Sequence, residues 1–164
     1  MKIKNILVSF AIAFVFWILL NNSFDPLLLG IGAGLSLILT LIFCSRCDIF
    51  SELKLTPQAF IFTIIYLFVF LFELIKSNLD VARRVITPSL PINPGIVEVK
   101  TKLKSRMGRM ILANSITLTP GTLTIDIQDD TLYIHWIDVK SEDINEATEQ
   151  IVRKFEKYLE KIYG

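Results

Sequence analysis

The stretch from Leu55 to Phe72, LTPQAFIFTIIYLFVFLF, holds 18 residues without a charge, and its reading decides how the rest of the chain is arranged. At ~1.5 Å per residue it forms a helix nearly as long as the ~30 Å hydrocarbon core of a bilayer is thick. Two other windows share the property, Asn5 to Phe24 and Pro26 to Ser45, each of 20 residues. Backbone N–H and C=O groups find no water in hydrocarbon, so single segments cross it as helices. The whole chain has 164 residues, of which 52% are apolar and 20% charged, with a mean hydropathy of +0.55. That balance is too apolar for an ordinary soluble domain, and it excludes disorder, collagen and a disulfide scaffold. Eight charged residues precede Lys76 and 25 lie from Lys76 onward. A net charge of +1 offers no basic stripe, so nucleic acid is not an expected partner.

Upstream of the quoted stretch, Lys2 and Lys4 precede the first apolar run and imitate a secretory signal. The run is too long for a signal core, ends at Asn21 and Asn22 without a small-residue cleavage site, and leads straight into the second run. Asp25 caps the next helix with Pro26 at its first position, which makes runs one and two a helical hairpin. Gly30, Gly32 and Gly34 offer small surfaces for close packing on more than one face. Pro57 suits a first helical turn, and the helical pattern then continues to Ile86. The expected membrane part is therefore 1–86, with helices at about 5–21, 27–44 and 57–86. The end of the third helix beyond Lys76 exceeds the hydrocarbon and is expected to project into water as a stalk.

Topology carries a conflict. Arg83, Arg84, Lys100, Lys102 and Lys104 follow the third run and place the second half in the cytoplasm by the positive-inside rule. Three full crossings then put Lys2 and Lys4 outside. Either the amino terminus is external, or one early segment lies only partly across the membrane.

Prolines at 88, 91 and 94 mark 87–95 as a stiff linker and a domain boundary. Beyond it, Val97, Val99 and Leu103 alternate with charged residues as in a half-buried strand, and Met107 to Leu118 reads as a buried helix. Leu123, Ile125 and Ile127 form a second strand and Thr131 to Val139 a third, hairpinned at Asp129 and Asp130. Asp143 with Glu146 starts a last helix whose apolar stripe is Ile144, Ala147, Ile151, Phe155, Leu159 and Ile162. The fold class is thus an integral membrane α-helical part of two to three helices, followed by a small β-α-β-β-α cytoplasmic domain at 96–164. So small a core is marginal alone, and Thr131 to Val139 is apolar on both faces, so some of this surface is expected to meet a neighbouring protein.

Chemistry is sparse. Cys44 and Cys47 have redox or half-zinc spacing, but further ligands and a thioredoxin-like context are missing, and two interfacial thiols are expected instead. His135 is the lone histidine and is read as a surface or partner-facing residue. No nucleophile–base pair or phosphate loop occurs, so an enzyme, a bound cofactor and a resident metal are not expected. Glu73 and Lys76 lie one turn apart where the apolar run ends, and Asn78 and Asp80 continue the polar stretch. They are candidates for an ion path or a subunit interface, beside the simpler reading of an i,i+3 pair at headgroup level.

The run from Leu112 to Thr124, LANSITLTPGTLT, alternates apolar residues and hydroxyls around Pro120-Gly121. Asn114, Ser115, Thr117, Thr119, Pro120, Gly121 and Thr122 form either a fold-maintaining turn, with glycine at a positive-φ position, or a docking surface. This run resembles the signature of the E subunit of multisubunit Mrp (Mnh, Pha) cation/proton antiporters. Glu73 to Asn78, Pro94 to Val97 and Leu132 to His135 fall in the same order as in that family. The resemblance implies an accessory subunit that assembles with other hydrophobic subunits, in membrane lipid, into a complex exchanging Na⁺ for H⁺. The alternative is a membrane-anchored regulatory or ligand-binding module.

Overall fold

The computed structural model describes residues 3–43, 52, 54 and 56–164, and the chain divides into two compact units, Met1–Leu53 and Lys54–Gly164. Cys44 and Cys47 lie outside the described residues.

The first unit is the expected hairpin of α1 (Ile3–Asn21) and α2 (Pro26–Phe43). Asn22 takes a left-handed φ of 46° past the end of α1, a conformation asparagine tolerates better than most residues. Asp25 Oδ1 accepts from the Leu27 amide at 2.8 Å and caps α2. The indole of Trp17 donates to the Leu28 carbonyl at 3.0 Å across the turn. Gly32, Ser36 and Thr40 are buried, and their four-residue spacing makes a seam of small side chains. A Cβ on Gly32 would fall 2.2 Å from the Trp17 ring, whereas Gly30 and Gly34 face open space. One glycine of the three therefore makes the contact. Most other side chains of both helices are exposed, and they are apolar on every face.

The second unit opens with α3 (Pro57–Ile86), capped by Thr56, whose hydroxyl accepts from the Ala59 amide at 3.1 Å. Then come β1 (Gly95–Lys100), α4 (Arg106–Leu118), β2 (Thr122–Gln128), β3 (Thr131–Trp136), α5 (Ile144–Ile151) and α6 (Arg153–Tyr163). The sheet is antiparallel with order β1-β3-β2. β3 is thus the central strand, with Leu132 opposite Val99 and Ile134 opposite Val97, all buried. Beyond β3, Ile137 lies against Gly121 and Val139 against Gly95. Central position and these contacts account for apolar residues on both faces of the Thr131 to Val139 segment.

The expected single last helix is two. Asp143 caps α5 by accepting from the Asn145 and Glu146 amides at 2.9 and 3.0 Å, and Val152 separates α5 from α6. Two side chains flanking the break bind the edge strand. Thr148 Oγ1 accepts from the Lys100 amide at 2.9 Å, and Glu156 Oε1 accepts from the Lys102 amide and the Thr101 hydroxyl, both at 2.6 Å. Glu156 is 1% exposed, and Arg153 bonds its second oxygen. The expected apolar stripe forms the core, with Ala147, Ile151, Phe155, Leu159 and Ile162 buried.

α3 belongs to this unit along its length. Tyr66 and Phe70 each pack on Phe155 with ring centroids 6.4 Å apart, and the Tyr66 hydroxyl bonds Ser115 on α4. Near its end, Arg84 pairs with Asp138 at 2.9 Å. The segment expected to project as a stalk is packed against the α+β elements, and the proline-rich 87–95 turns the chain inside one compact unit.

Candidate functional site

A cleft of about 440 Å³ opens between α3 and the turn after α4. α3 contributes Glu73, Lys76, Asp80 and Arg84, the turn contributes Thr119 to Thr122, and Asp138, Lys140 and Lys154 close the far side. Residues singled out for two separate reasons in the sequence thus meet in one place.

The carboxylates in this cleft are paired with its basic side chains. Lys154 Nζ donates to Glu73 Oε2 at 2.9 Å, with Lys76 farther from the same carboxylate at 3.9 Å. Arg84 bridges Asp80 at 2.7 Å and Asp138 at 2.9 Å. Lys154 and Arg84 thereby tie α3 to α6 and to the segment after β3. Asn78 stands apart: it is exposed, and its amide donates to the Leu74 carbonyl of its own helix at 2.7 Å.

The hydroxyl run is a set of stitches between helix and strand. Thr119 Oγ1 donates to the Ser115 carbonyl at 2.6 Å, Thr122 Oγ1 to that of Ile116 at 2.7 Å and Thr124 Oγ1 to that of Ala113 at 3.1 Å. Thr117 Oγ1 accepts from the Thr124 amide at 3.1 Å. The last four carbonyls of a helix lack partners within it, and the Thr119 and Thr122 hydroxyls supply partners to those of Ser115 and Ile116. Gly121 has φ of 95° after Pro120, as a type II turn requires. The motif is also divided in space: Ser115 faces α3, Thr119 to Thr122 line the cleft, and Asn114 and Thr117 line a shallow groove with Arg106, Arg109 and Asp126.

In that groove, a hydrogen bond from Gln128 and another from the Ile127 amide hold the Asp126 carboxyl below its ordinary value. On α6, burial pushes the Tyr163 phenol up. His135 is exposed on the sheet face away from the buried strand residues. Among the described residues, no three His, Cys, Asp or Glu side chains gather as a metal site. Glu156 is the organising polar residue that sequence reading passed over; its one signal was a carboxylate beside Phe155 in an otherwise apolar stripe.

An apolar helical hairpin joined to a small α+β unit through a third apolar helix is the build of a component of a membrane complex. The chain belongs to the family described as Na⁺/H⁺ ion antiporter subunit, whose model matches residues 10–162, and within that family its relatives are E-type subunits. It is 36% identical over 163 residues to the E1 subunit of the Na⁺/H⁺ antiporter of Staphylococcus haemolyticus, covering 91% of this chain and 95% of that one. The E subunit of the Na⁺/H⁺ antiporter of Alkalihalophilus pseudofirmus is 38% identical over 143 residues, covering 84% of this chain and 85% of that one. Among solved structures, a chain of the membrane-bound sulfane sulfur reductase, an archaeal respiratory membrane complex, is 46% identical. It covers 96% of this chain and 98% of that chain with a TM-score of 0.85. The resemblance read from Glu73 to Asn78 and Asn114 to Thr124 is thereby borne out at the level of family.

Proposed function

We propose that the chain is an accessory subunit of a Na⁺/H⁺-exchanging membrane complex, with its α+β domain in the cytoplasm, and that it supports assembly while other hydrophobic subunits conduct. The observation that carries this is the pairing in the cleft: Glu73 with Lys154, and Asp80 and Asp138 with Arg84. Carboxylates already matched to lysine and arginine hold α3 in place and offer little vacant charge to a passing cation. Glu73, Lys76 and Asp80 act in this reading as a latch, and the Asn114 to Thr122 run keeps the turn beside them in shape.

The test is complementation of a strain lacking the chain, with Na⁺-dependent collapse of a pH gradient measured in inverted vesicles and complex recovery measured after mild detergent extraction. Glu73→Gln keeps a hydrogen-bonding side chain and is expected to preserve exchange per assembled complex while lowering recovery. Full recovery with exchange lost would assign Glu73 to the ion path and end the latch reading. Uphill Na⁺ movement by the chain alone in liposomes would end the accessory reading.

A second reading rests on the 46% identity across nearly the whole of the reductase chain. In it, the complex that recruits this protein couples ion movement to electron transfer. Co-purification of a sulfur-reducing activity with the chain supports it, and an exchanger free of redox subunits excludes it.

A further inference from the structure

We propose that α3 lies in the plane of the membrane surface with its apolar face in the lipid, so that the chain crosses the bilayer twice, through α1 and α2. The inference concerns how the chain meets lipid and stands whichever complex recruits it.

The reason is what accompanies α3. At one end of its uncharged run, Lys154 of α6 pairs with Glu73. In the middle, Phe155 packs on Tyr66 and Phe70. At the other end, the Lys54 amine bonds the Gly164 carbonyl just beyond α6. α6 therefore runs antiparallel beside the stretch whose length matches a membrane span. Six of its 11 residues are charged: Arg153, Lys154, Glu156, Lys157, Glu160 and Lys161. A bilayer drawn around α3 would hold those charges at hydrocarbon depth, where ionised side chains are costly. The sheet and its loops would follow them into a region that tolerates no lipid-exposed irregular backbone.

The face of α3 turned outward fits lipid. Phe60 and Phe68 are 69% and 68% exposed, and Ile61, Leu67 and Phe72 lie more than half exposed with them. Cations border this face. Lys54 and Lys76 stand exposed near the two ends of the apolar run. On α6, the stripe that starts at Lys154 continues at helical spacing through exposed Lys157 and Lys161. An apolar helix face rimmed by lysine matches an interface carrying anionic headgroups. Two crossings also remove the topological conflict, because Lys4 and the cluster from Arg83 to Lys104 then obey the positive-inside rule on one side.

The experiment uses the full chain in native membrane vesicles of known orientation, with C44S and C47S as background. Lys2→Cys, Lys157→Cys and Gly164→Cys are expected to react with a membrane-impermeant maleimide from the same side. Reaction of positions 2 and 164 from opposite sides would overturn the proposal. Spin labels at Phe60→Cys, Phe68→Cys and Ile75→Cys give a second reading that does not depend on the termini. Equal depth with high oxygen accessibility at all three supports an in-plane helix. A depth that passes through a maximum at 68 means that α3 crosses, and low oxygen accessibility at all three means that another protein, not lipid, covers the face. Either result overturns the proposal.

Discussion

In the α1–α2 hairpin, apolar side chains surround both helices, and the contact between them is a narrow seam of Gly32, Ser36 and Thr40. In α3, an equally apolar run has a second periodicity beneath it: Ala59, Phe62, Tyr66, Phe70, Glu73, Ser77, Val81 and Arg84 recur every three or four residues and turn toward the α+β domain. All three helices are long and apolar enough to cross a membrane. They differ in what sits beside them: α3 packs against an α+β fold whose helix α6 carries six charged residues among its 11. An uncharged run of 18 residues thus measures capacity to enter a membrane, and only the neighbours of that run decide whether it passes through.

The comparison breaks most visibly at Glu156. Glu156→Ala leaves the Thr101 hydroxyl and the Lys102 amide without their acceptor, while Arg153 keeps Glu149, and is expected to destabilise the α+β unit by about 2–4 kcal/mol while leaving the hairpin intact. Denaturant titration of the detergent-solubilised chain, followed by near-UV circular dichroism, reads it; a loss under about 1 kcal/mol would remove Glu156 from the organising role. Next is Gly121→Val, which puts a β-branched residue at φ of 95° with a Cβ 3.1 Å from Ile137. Its expected cost is about 2 kcal/mol, with reduced recovery of the complex as the functional readout. Gly32→Val sharpens the other side of the comparison. The Trp17 ring must move, at about 1–3 kcal/mol, with the loss confined to α1 and α2, whereas Gly34→Val, facing open space, is expected to leave them unchanged. Both are scored by the yield of a disulfide cross-link engineered between the two helices.

The smallest effect is alkaline. Burial raises the Tyr163 pKa above its ordinary 10.0, so the folded state prefers the neutral phenol. The stability this gives is intact below the unfolded value and is lost as pH rises through the folded one. Tyr163→Phe is therefore expected to flatten the decline of stability above pH ~10, in the same denaturant titration repeated across that range.

Much of the fold was legible because it is local. Asp25, Pro26, Pro57 and Asp143 are start signals that act within one turn, and the alternation at Val97–Val99 and at Leu132–Ile134 marks strands without reference to anything distant. The Pro120-Gly121 turn and its hydroxyls were legible for the same reason. The relation of α3 to the α+β domain was not, since it rests on pairs separated by tens of residues: Tyr66 with Ser115, Glu73 with Lys154, Arg84 with Asp138. Each partner alone reads as an ordinary surface or interfacial side chain. The cleft was hidden likewise: its two halves were both noticed, Glu73 to Asp80 and Thr119 to Thr122, but nothing in one sequence says that they face each other. Asn114 and Asn78 show the converse, being close in sequence to cleft residues yet placed outside it by helical geometry.

Thr148 and Glu156 have an effect beyond holding two helices to a sheet. By occupying the outward amides of Lys100 and Lys102, they use up hydrogen-bonding capacity along the β1 border, where a foreign segment seeking to extend the sheet would need it. Lateral growth of the fold at that end of β1 is opposed by two side chains, one from α5 and one from α6. A newly made polypeptide lacks this protection until α5 and α6 have emerged and docked, which makes the interval before they fold the period of greatest exposure to aggregation.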